Sequence, residues 1–414
     1  MIKVAVIAIG DELLIGQVTD TNSGDIARTI APAGWTVSEV LTVHDDADAI
    51  YEAVDRAMRR ADVVLTTGGL GPTKDDITKA VLCRYFGGTL RYDEEVAANV
   101  RGIFARRGLE MNELTASQAY VPDTCRVIPN RVGTAPVMWF ERDGRILVSM
   151  PGVPFEMRKA MTDEVFPRLV ERFRDDTVIR HRTLLLTGIS ESAIATRLDS
   201  WESALPRHLH LAYLPQQGYI KLRFDAVGTD AALLEADLDR CVGHIRQEFE
   251  PCLFACEDIE PARLVLRLLS ARGLSLSTAE SCTGGNIAHL ITSIAGSSEV
   301  FRGGVVAYSN DVKQRVLGVD AATLAAHGAV SEPVVGQMAG GVASVTSSDC
   351  AIATSGIAGP GGAVPGKPVG TVCIAVRTPA GTESVTCHFP GDRSRVIDRA
   401  STTALIMLVQ ALEK

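Results

Sequence analysis

Ala279-Glu280-Ser281-Cys282-Thr283-Gly284-Gly285 follows the strand-like run Leu274–Thr278 and opens a helix, placing a hydroxyl, a thiol and two glycines at the junction. A nucleophile on such a turn is lifted clear of the sheet, and the first N–H groups of the next helix are left for an anion or oxyanion. Further on stand Tyr308-Ser309-Asn310-Asp311-Val312-Lys313 and the glycine-rich Ser355-Gly356-Ile357-Ala358-Gly359-Pro360-Gly361-Gly362. Together they read as an active site that needs neither metal nor histidine.

The elements around this turn alternate. In the C-terminal segment, 256–414, a helix at Ala262–Arg272 precedes strand candidates at Leu274–Thr278, Gly304–Tyr308, Cys350–Ser355 and Gly370–Arg377, and a last helix covers Arg393–Leu412. The N-terminal segment, 1–170, has apolar bursts at Lys3–Ile9, Ala61–Thr67, Arg126–Ile128 and Arg145–Met150, with helical spacing over Ala47–Arg60 and Asp75–Phe86. Strands alternating with helices predict an α/β fold whose parallel sheet is covered on both sides. Between these lies 171–255, a small α+β unit. It opens on the charged run Glu171–Asp176 and continues with Arg182–Thr187, a helix at Ser190–Leu198, the strand pair His208–Leu214 and Tyr219–Ala226, and a helix at Ala231–Phe249. Glu257–Pro261 reads as the second joint.

A chain of 414 residues is too long for one ordinary core, which agrees with three segments. Its 46% hydrophobic and 22% charged residues are those of a soluble globular protein, with no apolar run of membrane-spanning length. The start, through Ile9, reads as a buried strand; a signal peptide needs a longer apolar stretch, so the chain is expected in the cytoplasm. A net charge of −9 argues against a large nucleic-acid footprint, though a small phosphorylated ligand needs only a few local cations. The nine cysteines are odd in number and irregularly spaced, as reduced thiols are, and Cys252 and Cys256 lack the second ligand pair of a zinc site.

Ser281, Tyr308 and Lys313 fit an activated-serine site. A serine hydroxyl is a poor nucleophile until a base takes its proton. A lysine does so only if its pKa falls from about 10.4 towards ~7–8, roughly 3–4 kcal/mol of desolvation or charge repulsion. Tyr308 could relay the proton or orient the amine, and the N–H groups of Thr283, Gly284 and Gly285 could hold an oxyanion or a phosphate. The same residues also fit an inert arrangement in which Ser281 and Thr283 cap the helix, Tyr308 packs and Lys313 is solvated. Cys282 is a rival nucleophile with no histidine close in sequence to activate it.

Glu280–Gly285, Tyr308–Lys313, Gly328-Ala329-Val330-Ser331, Ser355–Gly362, Lys367-Pro368-Val369-Gly370-Thr371 and Phe389-Pro390-Gly391-Asp392-Arg393 stand in the order seen in the nicotinamide mononucleotide deamidase family, which this segment resembles. The resemblance implies hydrolysis of nicotinamide mononucleotide to nicotinate mononucleotide and ammonia, without a cofactor, by Ser281, Tyr308 and Lys313. It also implies that Ser355, Gly356, Ile357 and Gly359 line the pocket. Helix N-termini contribute only about 0.3–2 kcal/mol towards an anion, so a cation is expected at the phosphate, with Arg393 and Arg399 as candidates.

In the N-terminal segment, Gly10-Asp11-Glu12-Leu13-Leu14 follows the first strand, Thr19-Asp20-Thr21-Asn22 begins the next element, and Thr66-Thr67-Gly68-Gly69-Leu70-Gly71-Pro72-Thr73-Lys74-Asp75-Asp76 joins a strand to a helix. Open parallel sheets bind ligands beyond the carboxyl ends of their strands. There the backbone at Gly10, Gly68, Gly69, Gly71 and Thr73 could reach phosphate, and Asp11, Asp75 and Asp76 could hold a divalent ion such as Mg2+. Alternatively the aspartates cap a helix starting near Asp75. The region is similar to the molybdopterin-binding fold of molybdenum-cofactor biosynthesis proteins. It is closer to the competence/damage-inducible protein A (CinA) family, through Gly10–Leu14, Thr67–Thr78, Gly133–Pro136 and Met150–Met157; Val137 stands where a glycine is usual.

That resemblance spans essentially the whole chain. It implies metal-dependent hydrolysis of ADP-ribose at its pyrophosphate, with Asp11, Asn22, Asp75 and Asp76 as metal or phosphate contacts. The middle unit resembles a KH-type fold but lacks the G-x-x-G nucleotide clamp, so a spacer or homodimer contact is expected of it rather than RNA binding. Two other readings stay open: a non-enzymatic competence or DNA-damage interaction protein, and a molybdopterin-handling first domain.

Overall fold

The computed structural model describes residues 2–73, 75–173 and 177–414. Met1, Lys74 and the end of the charged run Glu171–Asp176 lie outside them. The chain groups into two compact units, Met1–Arg180 with Val227–Leu234, and His181–Ala226 with Glu235–Lys414.

The first unit contains β1 (Lys3–Ile9), β2 (Thr36–Val43), β3 (Val63–Thr67), β4 (Leu90–Tyr92), β5 (Tyr120–Pro122), β6 (Arg126–Ile128), β7 (Val137–Arg142) and β8 (Arg145–Met150). Six of these form one sheet in the order β2-β1-β3-β8-β7-β6, while β4 and β5 pair separately. β1 is parallel to β2 and β3, and β3 to β8; β7 and β6 add an antiparallel edge. Central β1 and β3 are buried on both faces, which is why they read as unbroken apolar runs. Edge strand β2 keeps only half-buried and exposed positions, so it carries no such run. Val137 begins β7 and is fully buried, occupied by strand packing where a glycine loop is usual.

Four strands, β9 (Val178–Leu186), β10 (Leu209–Pro215), β11 (Ile220–Gly228) and β12 (Leu253–Ala255), form a sheet in the order β10-β11-β9-β12. The rest of the second unit is built on β13 (Leu276–Glu280), β14 (Phe301–Val306), β15 (Cys350–Gly356), β16 (Thr371–Thr378) and β17 (Gly381–His388), ordered β14-β13-β15-β16-β17. β13 is parallel to both neighbours, and β16 and β17 are antiparallel. β13 runs two residues past the apolar stretch, because Ala279 and Glu280 still pair with β14 and β15. The period-2 pattern gives this sheet two unlike faces. Leu276, Cys350, Ile352 and Ile374 pack under the helices Pro261–Arg272, Asn286–Thr292 and Arg393–Glu413, whereas Ala279, Ala351, Ala353 and Ala375 lie on the other face with the helix Glu332–Thr346.

Small residues on that second face let the helix approach closely, and two adjacent glycines in it differ. A Cβ on Gly341 would stand 1.9 Å from the Leu317 carbonyl oxygen, just beyond the helix that carries Lys313, whereas one on Gly340 would meet nothing within 4 Å. Gly340→Ala should therefore stabilise the protein by about 0.5–1 kcal/mol through helix propensity. Gly341→Ala should destabilise it by about 1–3 kcal/mol, since backbone must shift. Urea unfolding followed by circular dichroism separates the two; equal effects would contradict this packing.

Candidate active site

The strand order places the Ser281 turn where it can act. β13 has neighbours on both sides reached by connections of opposite direction, the arrangement whose carboxyl end is the usual ligand side of an open sheet. Ser281 N–H donates to Thr354 O at 2.9 Å and Ala307 N–H donates to Glu280 O at 2.8 Å. The turn is thereby fixed between the ends of β14 and β15. Ser281 lies at its start and is buried.

Lys313 comes from the short helix Asn310–Arg315, whose first turn is capped by Ser309 Oγ accepting from Val312 N–H at 3.3 Å. A long side chain on a helix points back towards its N-terminus, which aims this one at the end of β14. Lys313 Nζ stands 3.0 Å from Ser281 Oγ, 2.7 Å from Ala307 O and 3.5 Å from Tyr308 O. The residue is 1% exposed. Burial pushes its amine below the ordinary lysine range, so Lys313 is not the solvated residue of the inert arrangement.

Tyr308 sits differently from the relay role read in the sequence. Its carbonyl faces Lys313, while its phenol is 61% exposed and accepts from Arg393 Nη2 at 2.7 Å. Arg393 also donates to Gly359 O at 2.8 Å, tying Tyr308 to the glycine-rich turn; Arg399 donates to Pro390 O at 3.2 Å. Ser355 Oγ donates to Ala329 O at 2.7 Å, and Gly356 and Ile357 are half-buried beside it.

The N–H groups expected to bind an anion are mostly engaged. Gly284 N–H donates to Ser281 O, and Gly285 N–H to the Glu280 carboxylate. Among the described residues Thr283 N–H alone of the three has no acceptor; its hydroxyl pairs with Thr354 Oγ1 at 2.7 Å. Neither Ser281 nor Thr283 caps the helix Asn286–Thr292, because Glu280 does. Cys282 points into the core, and burial pushes its thiol up to about 12. That excludes it as a thiolate near neutral pH.

In the first unit a cavity of about 370 Å³ opens at the carboxyl ends of β1 and β3, where strand order reverses. Gly10, Asn22, Gly68, Gly69, Gly71, Asp75 and Asp76 line it. Asn22 is buried and donates to Thr67 Oγ1 at 2.9 Å and to Gly152 O at 2.8 Å, leaving its Oδ1 without a partner. Backbone donors are scarce here too. Gly10 N–H donates to Val43 O, Gly68 N–H to Met150 O, and Gly71 and Thr73 N–H to Asp76. Among the described residues, Gly69 N–H is the one of these five without an acceptor.

The helix after this loop begins at Thr78, with no side-chain cap at Ile77. Asp76 instead closes its own loop, accepting also from Thr73 Oγ1 at 2.5 Å. Asp11 does not line the cavity. It stands 2.8 Å from His44 Nδ1, which with the Asp45 N–H holds its carboxyl below the usual range. Thr73 does the same for the exposed Asp75. Sequence reasoning missed Asp45, which lines the cavity and whose carboxyl is raised by burial and by the charges of Asp11, Glu12 and Asp76. It follows β2, the one central-sheet neighbour with no apolar run to announce it. Among the described residues no three His, Cys, Asp or Glu groups stand together as a metal site would need.

Three family models match the chain. One described as "Probable molybdopterin binding domain" covers residues 5–171, "Damage-inducible protein CinA KH domain" covers 181–255, and "CinA C-terminal domain" covers 259–412. A CinA-like protein of Flavobacterium psychrophilum is 40% identical over 417 residues, covering 100% of this chain and 99% of its own. Another from Chloroherpeton thalassium is 41% identical over 415 residues, 98% of each chain. The crystal structure of a competence damage-inducible protein A from Klebsiella pneumoniae is 43% identical and covers 37% of this chain and 96% of its own, with a TM-score of 0.37.

A buried amine with a lowered pKa has a stability signature. Between its lowered folded value and the ordinary lysine value of 10.5 the unfolded chain binds the extra proton, so stability rises with pH through that window. Below the folded value the full penalty is present. Lys313→Met removes the penalty, so it should raise the melting temperature at pH 7 and give a smaller gain at pH 10. A gain independent of pH, by calorimetry, would mean that Lys313 does not titrate there.

Proposed function

The chain belongs to the CinA family, and from that premise we propose that its C-terminal segment is an amidohydrolase converting nicotinamide mononucleotide to nicotinate mononucleotide and ammonia. The observation that carries this reading is the 3.0 Å approach of the buried Lys313 amine to Ser281 Oγ. A neutral amine there donates to Ala307 O and Tyr308 O and accepts the serine proton, which supports general-base catalysis.

In the proposed sequence Ser281 Oγ attacks the carboxamide carbon as its proton passes to Lys313 Nζ. The oxyanion takes the Thr283 N–H. Lys313 then returns the proton to the leaving nitrogen, the C–N bond breaks, and ammonia departs from a Ser281 ester. Water, giving a proton to the same amine, attacks the ester carbon; the bond to Ser281 Oγ breaks, Oγ takes that proton back from Lys313, and nicotinate mononucleotide departs. Arg393, already linking Tyr308 to Gly359, is the cation assigned to the substrate phosphate.

Purified protein with nicotinamide mononucleotide and no added metal should release ammonia. Ser281→Ala should lower that release by at least about 10³-fold, as loss of a nucleophile does, while Cys282→Ala stays within a few-fold of the parent. Full activity in Ser281→Ala would end the serine reading.

A second reading, pyrophosphate hydrolysis of ADP-ribose by the first unit, is favoured by the cavity at its strand-order reversal. The ion this implies does not fit the carboxylates as they stand, since Asp76 is engaged by Gly71 and Thr73 and Asp11 by His44 and Asp45. No step is therefore derived through a metal. AMP release from ADP-ribose, with chelator and with Mg2+, tests the reading. Asp76→Ala should reduce it by about tenfold or more, because the loop at Gly71 and Thr73 loses the carboxylate that closes it. Unchanged AMP release in that variant would remove Asp76 from the site.

A further inference from the structure

Glu280 is a carboxylate that the proposed chemistry does not use, yet it is 1% exposed and lies next to the nucleophile. Its Oε2 accepts from Gly285 N–H and Ile287 N–H at 3.0 Å each, and its Oε1 accepts from Ala288 N–H at 2.8 Å. Among the described residues it forms no ion pair. A buried carboxylate without a cation is costly unless several donors surround it, and three N–H groups at the positive end of a helix supply that.

The same residue grips in two other directions. Its carbonyl accepts from Ala307 N–H, and the Ala307 carbonyl in turn receives Lys313 Nζ. Its Cα lies in β13, paired between Val306 and Thr354. Residues 281–284 therefore form a loop closed at both ends by Glu280: covalently at Ser281, and through the carboxylate at 285, 287 and 288. Gly284 and Gly285 take positive φ within it, 63° and 100°, as such a tight closure requires.

We propose that Glu280 is a positioning residue for Ser281, its carboxylate bracing the turn so that the hydroxyl stays at the Lys313 amine. This rests on the reading of Ser281 as nucleophile. It also assigns the helix start an occupant: the Glu280 carboxylate fills the place where a substrate anion would otherwise sit, so the phosphate binds at side-chain cations instead.

The test uses the full chain and a fluorophosphonate probe, whose fluoride leaves as Ser281 Oγ bonds to phosphorus, with the modified residue read by mass spectrometry. The probe needs no nicotinamide mononucleotide, so an error about the substrate does not affect it. Glu280→Gln, an isostere whose amide nitrogen must face an N–H donor, should slow labelling about 10- to 100-fold, as an ångström of misplacement does. The midpoint of the labelling–pH curve should stay in place, because burial, not Glu280, is what lowers the Lys313 amine. In Glu280→Ala, added formate should restore labelling several-fold, and chloride at equal ionic strength should not. Labelling of Glu280→Gln within twofold of the parent overturns the proposal, as does failure of formate to rescue. Loss of the thermal transition in both variants also overturns it, making Glu280 a residue of folding alone. A parent protein unlabelled at Ser281 removes the nucleophile and this role with it.

Discussion

A primary amine held out of water against three oxygens is the constraint on which the C-terminal half of this protein depends. Lys313 Nζ has Ser281 Oγ, Ala307 O and Tyr308 O around it and almost no solvent. A buried ammonium carries a desolvation penalty that three neutral acceptors do not offset, so the neutral form gains. The neutral amine has two N–H groups for the two carbonyls and one lone pair for the hydroxyl. In the proposed chemistry that stoichiometry sends the serine proton to the amine. It also explains why β14 stops at Val306: the next two carbonyls are turned to the lysine rather than to a strand.

The two halves of the chain solve placement in one way. In each, a central strand has parallel neighbours on both sides, β2 and β3 about β1, and β14 and β15 about β13. In each, the polar residues of interest follow the carboxyl ends of those strands. The resulting sites differ chemically. The N-terminal cavity presents carboxylates and few free N–H groups, whereas the C-terminal site presents a hydroxyl, an amine and carbonyls. Common architecture therefore says where ligands bind and nothing about which.

Fold class and the family were legible in the sequence, because central strands here are continuous apolar runs and helices carry clear spacing. The helix Ala231–Phe249 stands where its periodicity placed it. Among the edge strands β6, β10 and β14 were legible, and β2 and β17 were not. β2 and β17 have no fully buried position, and the few apolar residues they turn to the core, Val37, Leu41 and Val43 in β2 and Val385 and Cys387 in β17, are set among polar ones and only partly covered. Side-chain pairing was legible only where residue type dictated it. Ser281 and Lys313 could be matched because a base and a hydroxyl need one another. The engagement of Gly10, Gly68, Gly71, Gly284 and Gly285 could not be, since backbone N–H partners depend on register and on which acidic side chain reaches them first. Glu280 and Asp76 each take N–H groups that glycine content alone assigns to a ligand.

The choice between oxygen and sulfur at residues 281 and 282 follows from where a strand ends. Adjacent side chains leaving a strand point to opposite faces. Past the end of β13 at Glu280, Ser281 turns to Lys313 and Cys282 to the apolar cluster under the helices Pro261–Arg272 and Arg393–Glu413. A thiol in that cluster stays protonated, its pKa about 12. The intrinsically better nucleophile is thus buried and neutral, and the poorer one lies beside a buried amine. Were β13 to slip by one residue against its neighbours the two would exchange faces, and the lysine would meet a thiol. Two bonds resist that slip: Ser281 N–H to Thr354 O, and Ala307 N–H to Glu280 O. They set the register, and the register decides which of the two side chains meets the amine.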